Sequence, residues 1–93
     1  MNKYQIQGIT DYYGNGKIDE ASQRRLGSTY NLCLLENGFP MILYYITDNQ
    51  GSDKEGCLRT STVTKYEYVE DGQLYIVTTL NSIYYLKFLE DTE

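Results

Sequence analysis

The chain predicts a small, mainly β antiparallel fold, and three observations carry that prediction. Asn37-Gly38 and Asp71-Gly72 each interrupt runs of β-branched, aromatic and aliphatic residues, and both dipeptides are strong type I′ hairpin signals. Around Asp71-Gly72 the residues alternate so that every charge within the strands falls on one face. The 93 residues include 11 tyrosines, and tyrosine is a good strand former. Together these imply one domain over residues 1–93. It holds at least five antiparallel strands in a small barrel or strongly bent sheet of SH3-like size, plus one short N-terminal helix. Closure would remove the exposed edges that a flat sheet of this size leaves.

In chain order, Tyr4-Gln5-Ile6-Gln7 alternates and predicts a short strand. Asp19–Leu26 reads as a two-turn helix. Acidic residues lead it, Arg24 and Arg25 trail it, and Gly27 can cap it, an order that suits the helix dipole. With Asn37-Gly38 as turn, Thr29–Leu35 and Pro40–Ile46 form a hairpin. Tyr30 then faces Tyr45, Leu32 faces Leu43 and Leu34 faces Met41; on the other side Asn31 faces Tyr44 and Cys33 faces Ile42. Both sides of this hairpin are apolar, which predicts a cover on each or contact with a partner. Thr47–Gly56 is polar, holds two glycines and predicts an exposed loop. No internal repeat is expected beyond the hairpin motif.

Residues 57–89 predict a three-stranded meander. With Asp71-Gly72 as turn, Val69 faces Leu74, Tyr68 faces Tyr75, Glu67 faces Ile76 and Tyr66 faces Val77. With Asn81-Ser82 as the second turn, Leu80 faces Ile83, Thr79 faces Tyr84, Val77 faces Leu86 and Tyr75 faces Phe88. One face then carries Thr64, Tyr66, Tyr68, Tyr75, Val77, Thr79, Tyr84, Leu86 and Phe88 without a charge. The other carries Lys65, Glu67, Ile76, Thr78, Tyr85 and Lys87, with Val63, Val69, Leu74, Leu80, Ile83 and Leu89 near its ends. A one-residue slip would drive charge into the core, so the uncharged face is expected to pack inward.

Composition excludes several chemistries. The chain has no histidine, so neither nucleophilic catalysis through a histidine base nor a histidine metal site arises within it. Cys33 and Cys57 cannot complete a four-thiolate zinc site and read as reduced thiols. Eight basic residues against thirteen acidic ones give a net charge of −5, spread as +1 over residues 1–28 and −3 over each of 29–56 and 57–93. A phosphate backbone repels such a chain, so nucleic acid is not an expected partner. No apolar run approaches the ~20 residues of a membrane span, and Met1-Asn2-Lys3-Tyr4-Gln5 is not an apolar signal segment. The expectation is a soluble, cytoplasmic protein with no membrane partner.

Asp11–Ser22 partly matches a calcium loop through Asp11, Asn15, Gly16, Ile18 and Asp19. Tyr13 fails at the third position, and Ser22 stands where the bidentate glutamate belongs. Gly14-x-Gly16 lacks the third glycine and the Lys-Ser/Thr ending of a phosphate loop. The carboxylates elsewhere show no mechanistic spacing. No cofactor, metal or catalytic residue is therefore expected. Tyrosine also supplies rigid contact area at protein interfaces. Tyr12 and Tyr13 beside a turn, and Tyr44 and Tyr85 on outer strand faces, are the aromatic partner-binding candidates. Asp48, Asp53 and Glu55 of the polar loop are the acidic ones.

Arg59-Thr60-Ser61-x-Val63, followed by Val77-x-Thr79-x-Asn81-Ser82-x-Tyr84-x-Leu86, resembles the C-terminal β-meander of short proteins common in bacterial phages and mobile elements. The resemblance covers the last third of the chain. It implies a phage-type accessory protein, a setting in which small acidic proteins are often inhibitors that occupy a host protein's nucleic-acid site. The expected function is that of a non-enzymatic acidic binding protein, an inhibitor of the anti-CRISPR or other anti-defence class docking on a nucleic-acid-handling protein. The alternatives are a self-associating structural or assembly module, as in a homodimer, and a small divalent-metal-dependent enzyme.

Overall fold

The computed structural model describes residues 2–91. Its elements are β1 (Asn2–Thr10), α1 (Glu20–Arg25), β2 (Thr29–Leu34), β3 (Pro40–Thr47), β4 (Cys57–Val69), β5 (Leu74–Thr79) and β6 (Ile83–Asp91). The six strands form a closed antiparallel barrel in sequence order, with β1 pairing both β2 and β6. One end, the helix end, carries residues 11–28, 48–56 and 80–82. The other, the hairpin end, carries the turns at 35–39 and 70–73.

The first meander turn forms as the Asp-Gly pair dictates. Gln73 N–H donates to the Glu70 carbonyl, and Val69↔Leu74, Tyr68↔Tyr75, Glu67↔Ile76 and Tyr66↔Val77 pair as expected. The second turn differs. Val77 pairs with Tyr84 and Tyr75 with Leu86, so the register lies two residues from the expected one. Leu80-Asn81 occupies the turn in place of Asn81-Ser82, and Thr79 is the cause. Its buried hydroxyl accepts from the Asn81 and Ser82 amides and donates to the Ser82 carbonyl at 2.9 Å. Moving a turn by one residue shifts pairing by two, which preserves sidedness. Tyr75, Val77, Tyr84 and Leu86 remain inside, and Lys65 and Glu67 remain exposed.

The middle hairpin turns at Asn37-Gly38, where Phe39 N–H donates to the Glu36 carbonyl and Gly38 has φ +89°. Tyr30↔Tyr45, Asn31↔Tyr44 and Leu32↔Leu43 pair as expected. Leu34 pairs with Ile42 rather than Met41, because the register shifts at Cys33. Only one side of the hairpin is covered: Tyr30, Met41 and Leu43 are buried, whereas Cys33 and Tyr44 face solvent.

The first strand is longer than its four-residue signal. β1 runs nine residues because a register shift between Ile6 and Gly8 reverses its alternation. Tyr4 and Ile6 point inward before the bulge and Ile9 points inward after it. A two-residue period cannot carry through such a break. A second bulge, between Val63 and Lys65, inverts the start of β4. Val63, expected outside, is buried, while Thr64, expected inside, is exposed.

α1 matches its signals. Asp19 is the N-cap and accepts from the Ser22 amide and hydroxyl, Glu20 opens the first turn, and Arg24 and Arg25 close the last. Leu26 is the C-cap and packs on the core, and Gly27 follows at φ +81°. Each strand contributes to the interior, through Tyr4, Ile6 and Ile9, Tyr30, Met41 and Leu43, Leu58 and Val63, Tyr75 and Val77, and Tyr84 and Leu86. Burying one such aliphatic or aromatic side chain contributes about 1.5–3 kcal/mol.

The loops after β1 and β3 have one design. Asp11 Oδ1 accepts from the Tyr13 and Asn15 amides, and Asp48 Oδ1 accepts from the Gln50 and Ser52 amides. Lys17 N–H returns to the Ile9 carbonyl and Lys54 N–H to that of Ile46. The underlying sequence, Ile-Thr-Asp-x-x-Gly-x-x-Lys, occurs at 9–17 and again at 46–54, a repeat that hairpin signals alone did not expose. It accounts for the partial calcium-loop match at Asp11: the carboxylate serves as an Asx-turn acceptor. Residues 47–56 are likewise ordered, with Lys54 Nζ 4.1 Å from the centroid of the Tyr45 ring.

Replacing Thr79 by valine keeps its shape and removes its three hydrogen bonds. The expected cost is about 1–3 kcal/mol, read as a lower urea midpoint at an unchanged m-value.

Candidate functional site

The β4 strand has 13 residues, and its two neighbours use it unequally. β3 pairs with it from Tyr44↔Cys57 to Pro40↔Thr62, and the turn before β3 then reaches Val63, where Gly38 N–H donates to the Val63 carbonyl and Val63 N–H to the Phe39 carbonyl. Beyond this point, among the described residues, Thr64–Val69 pairs only with β5. The far edge of this segment carries backbone groups without a strand partner, and Thr64 through Tyr68 are all exposed. An unpaired edge of this kind is a template for strand addition.

The inner face of the segment is aromatic. Tyr66 and Tyr68, expected in the core, keep the inward orientation but are 40% and 57% exposed, because no strand covers them past Pro40. Tyr66 meets Tyr75 edge to face and Tyr68 lies over it, with ring centroids 6.2 Å and 3.8 Å away, and Tyr75 in turn packs on Tyr4 at 5.7 Å. The hydroxyls of Tyr75 and Tyr68 are hydrogen-bonded to each other. Burial pushes the Tyr75 phenol well above its ordinary value, and the Tyr68 hydroxyl adds to this. Burial likewise raises Tyr30 and Tyr84, the latter against the opposing pull of Arg25.

The outer face of the same segment borders a groove of about 620 Å³. Lys65 and Glu67 form one side, Ile76 and Ile83 line it, and Tyr85 and Tyr12 complete it. Tyr12 reaches there from the Asp11 loop by donating its hydroxyl to the Thr79 carbonyl. Tyr85 lies over Gly8, where an added Cβ would stand 3.2 Å from the ring.

Comparison with protein-family models, curated proteins and solved structures finds no match for this chain.

The residues singled out from sequence are dispersed. Tyr12 and Tyr85 meet in the groove. Tyr13 stands alone on the Asp11 loop at 91% exposure. Tyr44 lies on the outside of β3, opposite Asn31 and Cys57. Asp48 spends a carboxylate oxygen on its own turn, Asp53 bridges to Thr47, and Glu55 is exposed in the same loop. Cys33 and Cys57 are free and exposed. Among the described residues no group of three His, Cys, Asp or Glu side chains is placed to hold a metal ion. Tyr66 and Tyr68 escaped sequence reasoning because their alternation is that of core residues. The signal available was strand length: a 13-residue strand beside one of eight residues must overhang.

The raised phenols make an alkaline prediction. A group whose folded pKa lies above its ordinary value of 10.0 stabilises the fold fully below that pH and loses this contribution as pH rises toward the folded value. Stability is therefore expected to fall progressively above pH ~10, with the buried tyrosines ionising only as the chain unfolds. Tyrosinate absorbance followed alongside circular dichroism checks this. Ionisation of all tyrosines in a still-folded barrel would contradict it.

Proposed function

We propose that this chain is a non-enzymatic binding protein that docks on another protein by adding the free edge of β4 to a partner's strand. The observation that carries this reading is the run Thr64–Tyr68, exposed at every residue and paired on one side only among the described residues. A strand laid against it would take main-chain hydrogen bonds from the edge and pack side chains against Tyr66 and Tyr68 on one face. On the other face it would extend the groove lined by Tyr12 and Tyr85. Glu36, Glu70 and Asp71 lie in the two turns at this end of the barrel, and the chain carries −5 overall. That charge favours a basic partner surface, and it makes encounter fast and salt-sensitive. In its most specific form the partner is a nucleic-acid-handling protein, and the chain is an inhibitor of the phage accessory type that competes with nucleic acid for a basic site in the cytoplasm.

The test uses an identified basic partner and purified components. Changing Tyr66 and Tyr68 together to alanine is expected to weaken binding at least ~10-fold, as loss of aromatic interface anchors does, while circular dichroism still reports the barrel. Competition with nucleic acid and weakening by salt are also expected. An equal loss from Tyr13→Ala, or none from the Tyr66/Tyr68 pair, would show that the docking surface lies elsewhere.

Self-association is a second reading, favoured by the order of charges. If two β4 edges pair antiparallel about Tyr66, Lys65 of each copy faces Glu67 of the other. Light scattering should then show a dimer that Lys65→Glu disrupts and the Lys65→Glu/Glu67→Lys exchange restores. A monomer at every concentration removes this reading.

A further inference from the structure

At the helix end, opposite the free segment of β4, lies a second cleft, of about 480 Å³. It is bounded by α1, the start of β4 and the β5–β6 turn. Three of the chain's eight basic residues converge there: Lys17 from the loop before α1, Arg25 from the last turn of α1 and Arg59 from β4. Two are held in place. Lys17 Nζ donates to the Asn81 carbonyl at 2.9 Å, and Arg25 Nη1 donates to the Tyr84 hydroxyl at 2.9 Å. Arg59 is exposed, and its guanidinium makes no hydrogen bond or ion pair among the described residues. The one carboxylate in the cleft, Asp19, is engaged by the Ser22 amide and hydroxyl at 3.0 and 2.8 Å. An acidic chain thus gathers a local excess of two positive charges.

The rest of the lining is hydroxyl-bearing. Ser22, Thr60 and Ser82 are each more than nine-tenths buried, and Ser61 stands beside them. Ser22 and Thr60 donate within the protein, and the Ser61 hydroxyl accepts from the Asn81 amide. The Ser82 hydroxyl has no protein partner among the described residues, although its amide is bonded to Thr79. A hydroxyl that no protein group engages, in a cleft with three cations and no aliphatic wall, suits a polar ligand.

We propose that this cleft binds a phosphate monoester carried on a small hydroxyl-rich body, as in a sugar phosphate. The two net charges match a phosphate dianion. The guanidinium of Arg59 is free to pair with it through two parallel hydrogen bonds, the geometry that arginine offers phosphate. The hydroxyls suit a polyol, and the absence of an aliphatic wall disfavours an apolar body. The cleft shares no residue with the Thr64–Tyr68 edge of β4.

Titration calorimetry at low salt with ribose 5-phosphate, inorganic phosphate and ribose tests it. Ribose 5-phosphate should bind, inorganic phosphate should bind more weakly, and ribose should give no heat. Arg59→Gln should weaken ribose 5-phosphate at least ~10-fold with the thermal midpoint unmoved, since the charge-assisted hydrogen bond to the ligand is lost and no side-chain hydrogen bond within the protein goes with it. Lys87→Gln, outside the cleft, should leave binding intact. Absence of heat with both phosphates, or an equal effect of the two substitutions, overturns the site. Equal affinity for phosphate and ribose 5-phosphate overturns the hydroxyl-rich ligand.

Discussion

The constraint on which the rest of the molecule depends is that β1 must pair on both sides. It meets β6 from Asn2 to Thr10 but meets β2 only from Lys3 to Gln5. Six short strands can close in this way only if they bend, and register shifts occur in the β1–β6, β2–β3, β3–β4 and β4–β5 pairs. A side-chain hydroxyl and a neighbouring loop take up main-chain groups where the ladder is interrupted. The Met41 amide, beside the shift in β3–β4, donates to the Thr60 hydroxyl at 3.0 Å. Where β1 leaves β2, the Ile6 carbonyl receives the Gly27 amide and the Ile6 amide donates to Ser28. The main chain of Gly27 and Ser28, between α1 and β2, thus completes the seam that β2 leaves open.

Closure also divides the barrel into two unlike ends. At the hairpin end, β4 and β5 continue past the last pair that β3 makes. Residues that alternate as core residues there become a tyrosine shelf beside a bare edge. Lys65 and Glu67 on its outer side are the kind of charge that keeps an edge from unregulated pairing, while leaving it open to a complementary strand. At the helix end, the same inequality of strand lengths is filled by longer connections. Two Asx-stabilised loops, a capped helix and a threonine-locked turn bring cations together that are 34 residues apart in sequence between Arg25 and Arg59. One fold thus carries an acidic, aromatic end and, opposite it, a cationic, hydroxyl-lined cleft.

Local chemistry determined a large part of this. Asn-Gly and Asp-Gly set two turns, alternation chose the inward face of β5 and β6, and Asp19 with Gly27 bounded the helix. Each depends on neighbours within a few residues, where backbone preference and side-chain period act directly. The positions that sequence could not place have few causes. The extension of β1, the inversion at Val63 and Thr64, the mismatch at Leu34 and the shifted second turn all follow from bulges or from Thr79 bonding its own turn. Bulges answer the curvature of a closed sheet, and curvature is not a local property. The exposure of Tyr66 and Tyr68 and the meeting of Lys17, Arg25 and Arg59 depend on where a neighbouring strand ends. Sequence therefore determined which residues turn, cap and face inward, and only the closed tertiary structure decided which edge stays open and which charges stand together. Pairing preference acts between adjacent residues, whereas coverage depends on the lengths of all six strands at once.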